Sequence, residues 1–278
     1  MPTLDLKLFG GFSAELDGLK LHFRTDKLRA LLVYLVMEPN RAHRRETLAT
    51  LLWGELAHAT ALTNFRISLA RLNDTLECWL VHKSAVQLES TRQAVALRLH
   101  SPDTLLLDVA EFDVLIGTSL AHNHSDPLEC AKCAKRLRRA VALYRGDFLA
   151  GLTLRDAFAF DEWCALKRDQ QYDQVWNALN ALARYYAHQG NLVGAQTYAH
   201  RLRALDPLRD MGHRLVIELY LAQGDMARAR AAYQNYARRM RDEHHASPAF
   251  TLAELRAHFK SLPPIRLDAA RRDANRAS

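Results

Sequence analysis

Apolar and polar positions change period along this chain. Residues 3–23 alternate: LDLKLFG, FSAEL and LKLHF are runs of period two, with Gly10-Gly11 and Asp17-Gly18 between them. That pattern predicts a small three-stranded antiparallel sheet. From residue 26 the period becomes helical through Leu28, Leu31, Leu32, Leu35 and Val36, and Pro39-Asn40 stops it. A short second helix is expected over residues 45–53. A third covers residues 58–77, where Leu62, Phe65, Leu69, Leu72 and Leu76 form one stripe. WLVH and AVQL then bracket Lys83-Ser84 as a tight hairpin, and AVALRL reads as a further strand before the Ser101-Pro102-Asp103 turn.

The face of the third helix opposite its stripe carries Thr60, Thr63, Asn64, Ile67 and Arg71. One reading is a solvated surface with a single stray Ile. The other is a surface that enters a groove. Asn can pair with adenine, Arg with guanine, and an aliphatic group can meet a thymine methyl. The order of elements favours the second reading, because a helix preceded by two helices and followed by a hairpin is the layout of a winged helix-turn-helix. Its third helix reads the major groove and its hairpin touches the backbone. Lys83 would sit at the hairpin tip beside His82. Arg24, Lys27, Arg41, Arg44 and Arg45 become candidate phosphate contacts, each also readable as ordinary surface charge.

From residue 128 onward the pattern is helical throughout. Gln189-Gly190-Asn191 recurs as Gln223-Gly224-Asp225, and Ala195 as Ala229, both at an offset of 34 residues. That is the tetratricopeptide period, in which helix pairs bury a face only by stacking. A third pair is expected from helices around 128–145 and 160–175. The fold class expected is α+β, mainly α. Residues 1–105 form the DNA-binding domain, 106–260 the helical domain, and 261–278 a flexible tail.

Composition narrows this picture modestly. A formal net charge of +7 permits a polyanionic partner without requiring one. No apolar run is long enough to span a bilayer, and no secretory leader is visible, so a cytoplasmic location is expected. No glycine-rich phosphate loop, nucleophile elbow or HExxH is present, and Asp161-Glu162 has no evident partner. An enzyme is therefore not expected, and no cofactor. Cys130 and Cys133 form a CxxC with His122 and His124 upstream, a set that could hold zinc in principle. No second CxxC exists, and both cysteines read as positions on one regular helix, so no metal is expected. Lys132, Lys135, Arg136, Arg138 and Arg139 on one helix, and Arg238, Arg239 and Arg241 on another, read as solvated faces or as extra contacts to DNA or acidic protein.

Longer stretches resemble a known family. FGGFSAELDGLKLHF followed by TDKLRALLVYLVMEPNRAHRRETLATLLW is similar to the OmpR-type winged helix of SARP-type transcriptional regulators, and TNFRISLARLNDTL to their recognition helix. LDVAEF resembles the junction to their second domain. AVALYRGDFLAGL and RALDPLRDMGHRLVIELYLAQGDMARARAAYQNYARRM resemble their tetratricopeptide-like bacterial transcriptional activator domain. The resemblance covers residues 1–260. It implies an activator that binds double-stranded DNA near promoters, with the helical domain serving self-association as a homodimer and contacts to the transcription machinery. It places Asn64, Arg66, Ser68 and Arg71 on recognition-helix positions and Lys83 in the wing.

Three departures stand out. Asn73 and Asp74 replace the family's usual basic residues, and Asp74 would repel phosphate. Arg44 stands where a Ser usually caps the second helix. Residues 90–105 are longer than the usual junction. A second hypothesis follows: a protein-interaction scaffold of tetratricopeptide type whose winged helix no longer binds DNA.

Overall fold

The computed structural model describes residues 3–77, 86–123 and 127–261. They form two compact units, one of Met1–Val114 with Ala142–Asp173, the other of Leu115–Val141 with Gln174–Ser278. The strands are β1 (Leu4–Lys7), β2 (Ser13–Leu16), β3 (Leu19–Lys20), β4 (His43–Arg44), β5 (Val86–Ser90), β6 (Ala94–Leu99) and β7 (Leu105–Leu107). The helices are α1 (Asp26–Met37), α2 (Arg45–Trp53), α3 (His58–Glu77), α4 (Asp108–Leu120), α5 (Ala131–Leu143), α6 (Phe158–His188), α7 (Leu192–Leu205), α8 (Asp210–Ala222), α9 (Met226–His244) and α10 (Leu252–Ser261). The fold is mainly helical, with small sheets in its N-terminal region.

In the first unit the alternation of residues 3–23 folds as expected, burying Leu4, Leu6, Ala14 and Leu16. The sheet has a fourth member, because β7 pairs parallel to β1 and gives the order β3-β2-β1-β7. Asp108 anchors this corner. Its carboxylate accepts the N–H groups of Leu8 (2.9 Å) and Phe9 (3.2 Å) and pairs with Arg145 at 2.6 Å. A carboxylate only 8% exposed is stable when its oxygens are satisfied in this way. Phe9 bridges to Phe148 and packs edge-on against Phe112, with 5.2 Å between centroids. These contacts draw residues 142–173 to the N-terminal strands.

The three predicted helices appear as α1, α2 and α3. Asn40 adopts φ 64 just beyond α1, where the chain reverses. The hairpin expected at Lys83-Ser84 lies outside the described residues. Among the described residues β5 and β6 form a hairpin, in a sheet of order β4-β6-β5. Its turn is built by Thr91, whose hydroxyl accepts the N–H groups of Gln93 and Ala94.

In the second unit the 34-residue repeat is visible atom by atom. Gly190 (φ 72) and Gly224 (φ 73) each close a helix in the left-handed conformation that glycine adopts without strain. Asn191 and Asp225 then cap α7 and α9 with the same backbone angles, φ −84 and ψ 78. Each accepts an N–H three residues on, from Gly194 and Arg228, at 2.9 Å. The expected separate helix over 160–175 is corrected: α6 runs unbroken through it into the first helix of the repeat. No Gly or Pro interrupts residues 158–188, so nothing breaks the backbone hydrogen-bond ladder there.

Tyr236 centres the core of the last pair. Its ring is 1% exposed and stacks on Phe250 at 5.0 Å and His213 at 4.7 Å. Its hydroxyl donates to Asp210 and accepts the N–H of Ala249. Among the described residues no helix is long and apolar enough to cross a membrane.

Candidate nucleic-acid interface

α3 buries Phe65, Leu69, Leu72 and Leu76 of the stripe that periodicity marks out, while Leu62 is half-buried and Ala61 beside it is buried instead. Against it pack Leu48, Leu52 and Trp53 of α2, with the Trp53 and Phe65 rings edge to face at 6.5 Å. On the other side, Thr60, Thr63, Ile67, Arg71 and Asp74 are exposed, and Asn64 is half-buried beside them. Thr63 bonds back to the Ala59 carbonyl. Thr60, Asn64 and Arg71 make no side-chain hydrogen bond or ion pair among the described residues. Ile67 keeps 45% of its surface in solvent, a large aliphatic group in the middle of a polar face. The face therefore offers donors, acceptors and one apolar patch that the fold itself does not use.

Ser68 is placed otherwise. It is only 9% exposed, because it lies three residues after Phe65 and four before Leu72, on the side that packs. It is not available to read a base edge from this helix.

The arginines divide into committed and free groups. Arg45 braces the β5–β6 turn, donating from Nε to the Thr91 carbonyl at 2.8 Å and from its terminal nitrogen to Ser90 Oγ at 2.5 Å. Two of its three guanidinium nitrogens are thus engaged within the unit. Lys27 donates to the Leu52 carbonyl and lies 5.3 Å over the Trp53 ring. Burial pushes its ammonium pKa below the usual lysine value, only partly offset by Asp156 and Asp161. Arg41 is paired with Glu38.

Arg44, Arg66 and Arg92 have no side-chain hydrogen bond or ion pair among the described residues. Arg44 holds the N-cap position of α2 with extended backbone and no side-chain cap, so its guanidinium is not drawn into the helix end. With Arg45 and Glu46, these three line a cleft of about 660 Å³ on the flank of α3. Arg92 went unpredicted from sequence; the signal was a Thr-Arg-Gln turn between two strand-like runs. His82 and Lys83 lie outside the described residues.

α3 thus presents a polar face beside a cleft lined by Arg44, Arg45, Arg66 and Arg92, the last from the β5–β6 turn. The bacterial transcriptional activator domain family matches residues 107–259, more than half of the chain. The chain belongs to that family, and it is a transcriptional regulator and not an enzyme. Its fold is similar to that of a Mycobacterium tuberculosis protein solved as EmbR in complex with a low-affinity phosphopeptide. That likeness has a TM-score of 0.67 at 20% identity and covers 100% of this chain and 71% of the other. No curated protein sequence matches the chain.

Proposed function

We propose that this chain is a sequence-specific DNA-binding regulator of the SARP type, most simply an activator. Residues 1–105 act as an OmpR-type winged helix, and residues 106–260 carry self-association and contacts to the transcription machinery. α3 enters the major groove. Asn64 and Arg71 hydrogen-bond base edges, and Ile67 meets a thymine methyl. Arg44, Arg66 and Arg92 approach the phosphates flanking the groove and set the register. Asp74, exposed on the same helix, marks where the groove contact ends, since a carboxylate there turns away from phosphate.

The observation that supports this reading is the Thr60–Thr63–Asn64–Ile67–Arg71 face, largely exposed, on which Thr60, Asn64 and Arg71 make no side-chain hydrogen bond or ion pair among the described residues. The test is selection of bound duplexes from a random pool, followed by mobility-shift titration of the enriched sequence across salt. Affinity should fall linearly with the logarithm of salt concentration, with a slope set by the phosphates contacted. Binding indifferent to salt, or unchanged by Asn64→Ala with Arg71→Ala, would refute the proposal and leave the interaction-scaffold reading.

A further inference from the structure

A second convergence of chemistry-bearing side chains lies in the other compact unit. Sequence spacing suggested that Cys130 and Cys133 share one regular helix. The structure places them differently. Cys130 precedes α5 at its N-cap, with its carbonyl accepting the Ala134 N–H at 3.0 Å. Its Sγ receives the N–H of Cys133 at 3.5 Å, the capping bond a side-chain oxygen usually makes. Cys133 sits in the first turn and is 5% exposed. The segment that leaves α4 then brings His122 onto the pair. His122 Nδ1 is 3.2 Å from Cys133 Sγ and 3.4 Å from Cys130 Sγ. All three donor atoms lie within 4.8 Å of one another.

That spacing is informative. A tetrahedral zinc ion with Zn–S of about 2.3 Å and Zn–N of about 2.0–2.1 Å holds its nitrogen and sulfur ligands roughly 3.5 Å apart. The two observed N···S separations fall within a few tenths of an ångström of it. A single hydrogen bond does not account for them, since one Nδ1 can share one proton with one sulfur, yet it sits nearly equidistant from two. Two soft thiolates and an imidazole are also the donors that select zinc over magnesium or calcium. Cys130 and His122 are half-buried, so an ion can reach the site from solvent.

We propose that His122 Nδ1, Cys130 Sγ and Cys133 Sγ bind one zinc ion, with the fourth tetrahedral position open to water or another donor. Loading releases the two thiol protons to solvent and leaves two Zn–S bonds and one Zn–N bond. The ion then clips the segment after α4 to the N-terminus of α5. Among the described residues three donors converge, and an ion held by three protein ligands keeps an open position.

The test uses the full chain, purified, reduced and stripped of metal. Zinc titrated against a chromophoric chelator should show one equivalent taken up. Cobalt in its place should give the intense visible bands of a tetrahedral ion and a thiolate charge-transfer band. Cys130→Ser and His122→Ala should each weaken binding by more than about 100-fold, beyond the 10–100-fold of an outer-shell change. Cys164→Ala should leave it unchanged: Cys164 is buried, and burial pushes its thiol to about 12. Zinc should raise the melting midpoint of the wild type and not of Cys130→Ser. If Cys133→Ser does not fold, the Cys130 and His122 variants carry the test. No stoichiometric uptake by the reduced chain, or uptake unaffected by Cys130→Ser, overturns the proposal. So does a Cys130–Cys133 disulfide found by mass in a chain that refuses metal when reduced, which would assign a redox pair instead.

Discussion

α3 and the α8–α9 pair spend their polar side chains in opposite ways. In α8–α9 several polar groups are turned inward or to the helix ends, although the outer side of α9 is lined with exposed arginines. Asp210 receives the Tyr236 hydroxyl, Asp225 caps α9, and the His213 ring stacks in the core with Nε2 2.9 Å from the Pro207 carbonyl. In α3 Phe65, Leu69, Leu72 and Leu76 are buried, yet Thr60, Asn64 and Arg71 make no side-chain hydrogen bond or ion pair among the described residues. Side chains that stabilise a fold and side chains held ready for a partner can thus be separated by asking where each hydrogen bond goes.

That contrast is broken most strongly at Tyr236. Tyr236→Ala removes a ring stacked on two neighbours and strands the Asp210 carboxylate and the Ala249 N–H. Large-to-small changes of this kind cost about 3–5 kcal/mol. A urea titration should show the midpoint fall by that equivalent. A loss below about 1 kcal/mol would mean the pair is held together elsewhere.

The opposite experiment belongs to α3. Arg71→Ala and Asn64→Ala should each leave the urea midpoint within about 0.5 kcal/mol of wild type, as surface changes do. Each should weaken specific DNA binding by about 1–3 kcal/mol, roughly 5- to 150-fold. Arg44→Ala should instead weaken binding to all sequences alike and reduce the salt slope by about one. If Arg71→Ala destabilised the protein and left binding intact, the two regions would not differ as argued.

The same contrast explains how much was legible in sequence. The stripe of α3 and the capped repeat follow from local periods, because residues three and four apart share a helix face and Gly-Asn or Gly-Asp punctuates helix ends. Ser68 is placed by the resemblance alone; its phase, three residues after Phe65, puts it on the packed side. Arg45 and Lys27 looked like surface charge because their acceptors, Thr91 and Leu52, are carbonyls that no sequence pattern announces. The β1–β7 pairing and the Asp108 anchor join positions about a hundred residues apart, and only the folded chain brings them together. The His122–Cys130–Cys133 convergence depends on the path between α4 and α5, which spacing alone does not describe.

Within the repeat a smaller comparison is available. Asn191 and Asp225 are the same cap in two copies, with the same angles and the same bond length. Replacing either with Ala should cost about 1 kcal/mol. Asp225→Ala should cost slightly more than Asn191→Ala at low salt, because its carboxylate also faces the positive end of α9 and pairs with Arg228 at 3.3 Å. The excess should vanish at high salt, where an exposed pair is screened. Denaturation of both variants at two salt concentrations measures it.

The smallest effect concerns pH and again separates the regions. Burial, the largest influence, lowers the pKa of His213 from its ordinary 6.5, with the Pro207 carbonyl partly opposing it. His200 is lowered too, by burial and then by Arg203. Above pH 6.5 these rings are neutral in both folded and unfolded chains, and stability does not depend on them. Between 6.5 and the lowered folded values, the unfolded chain takes up protons that the folded chain refuses, so stability falls as pH falls. The slope is at most about 1.4 kcal/mol per pH unit for each group. Below the folded values both states are protonated and the loss stops growing. His213→Gln should flatten that decline, whatever it does to stability at pH 8. The face of α3 from Thr60 to Asp74 carries no histidine, so DNA affinity measured on folded protein should not follow the same window. A wild-type urea midpoint that stayed level from pH 7.5 to 5.5 would show that His213 accepts its proton inside the fold, and that the inward-turned polar groups of α8–α9 are less firmly held than their geometry indicates.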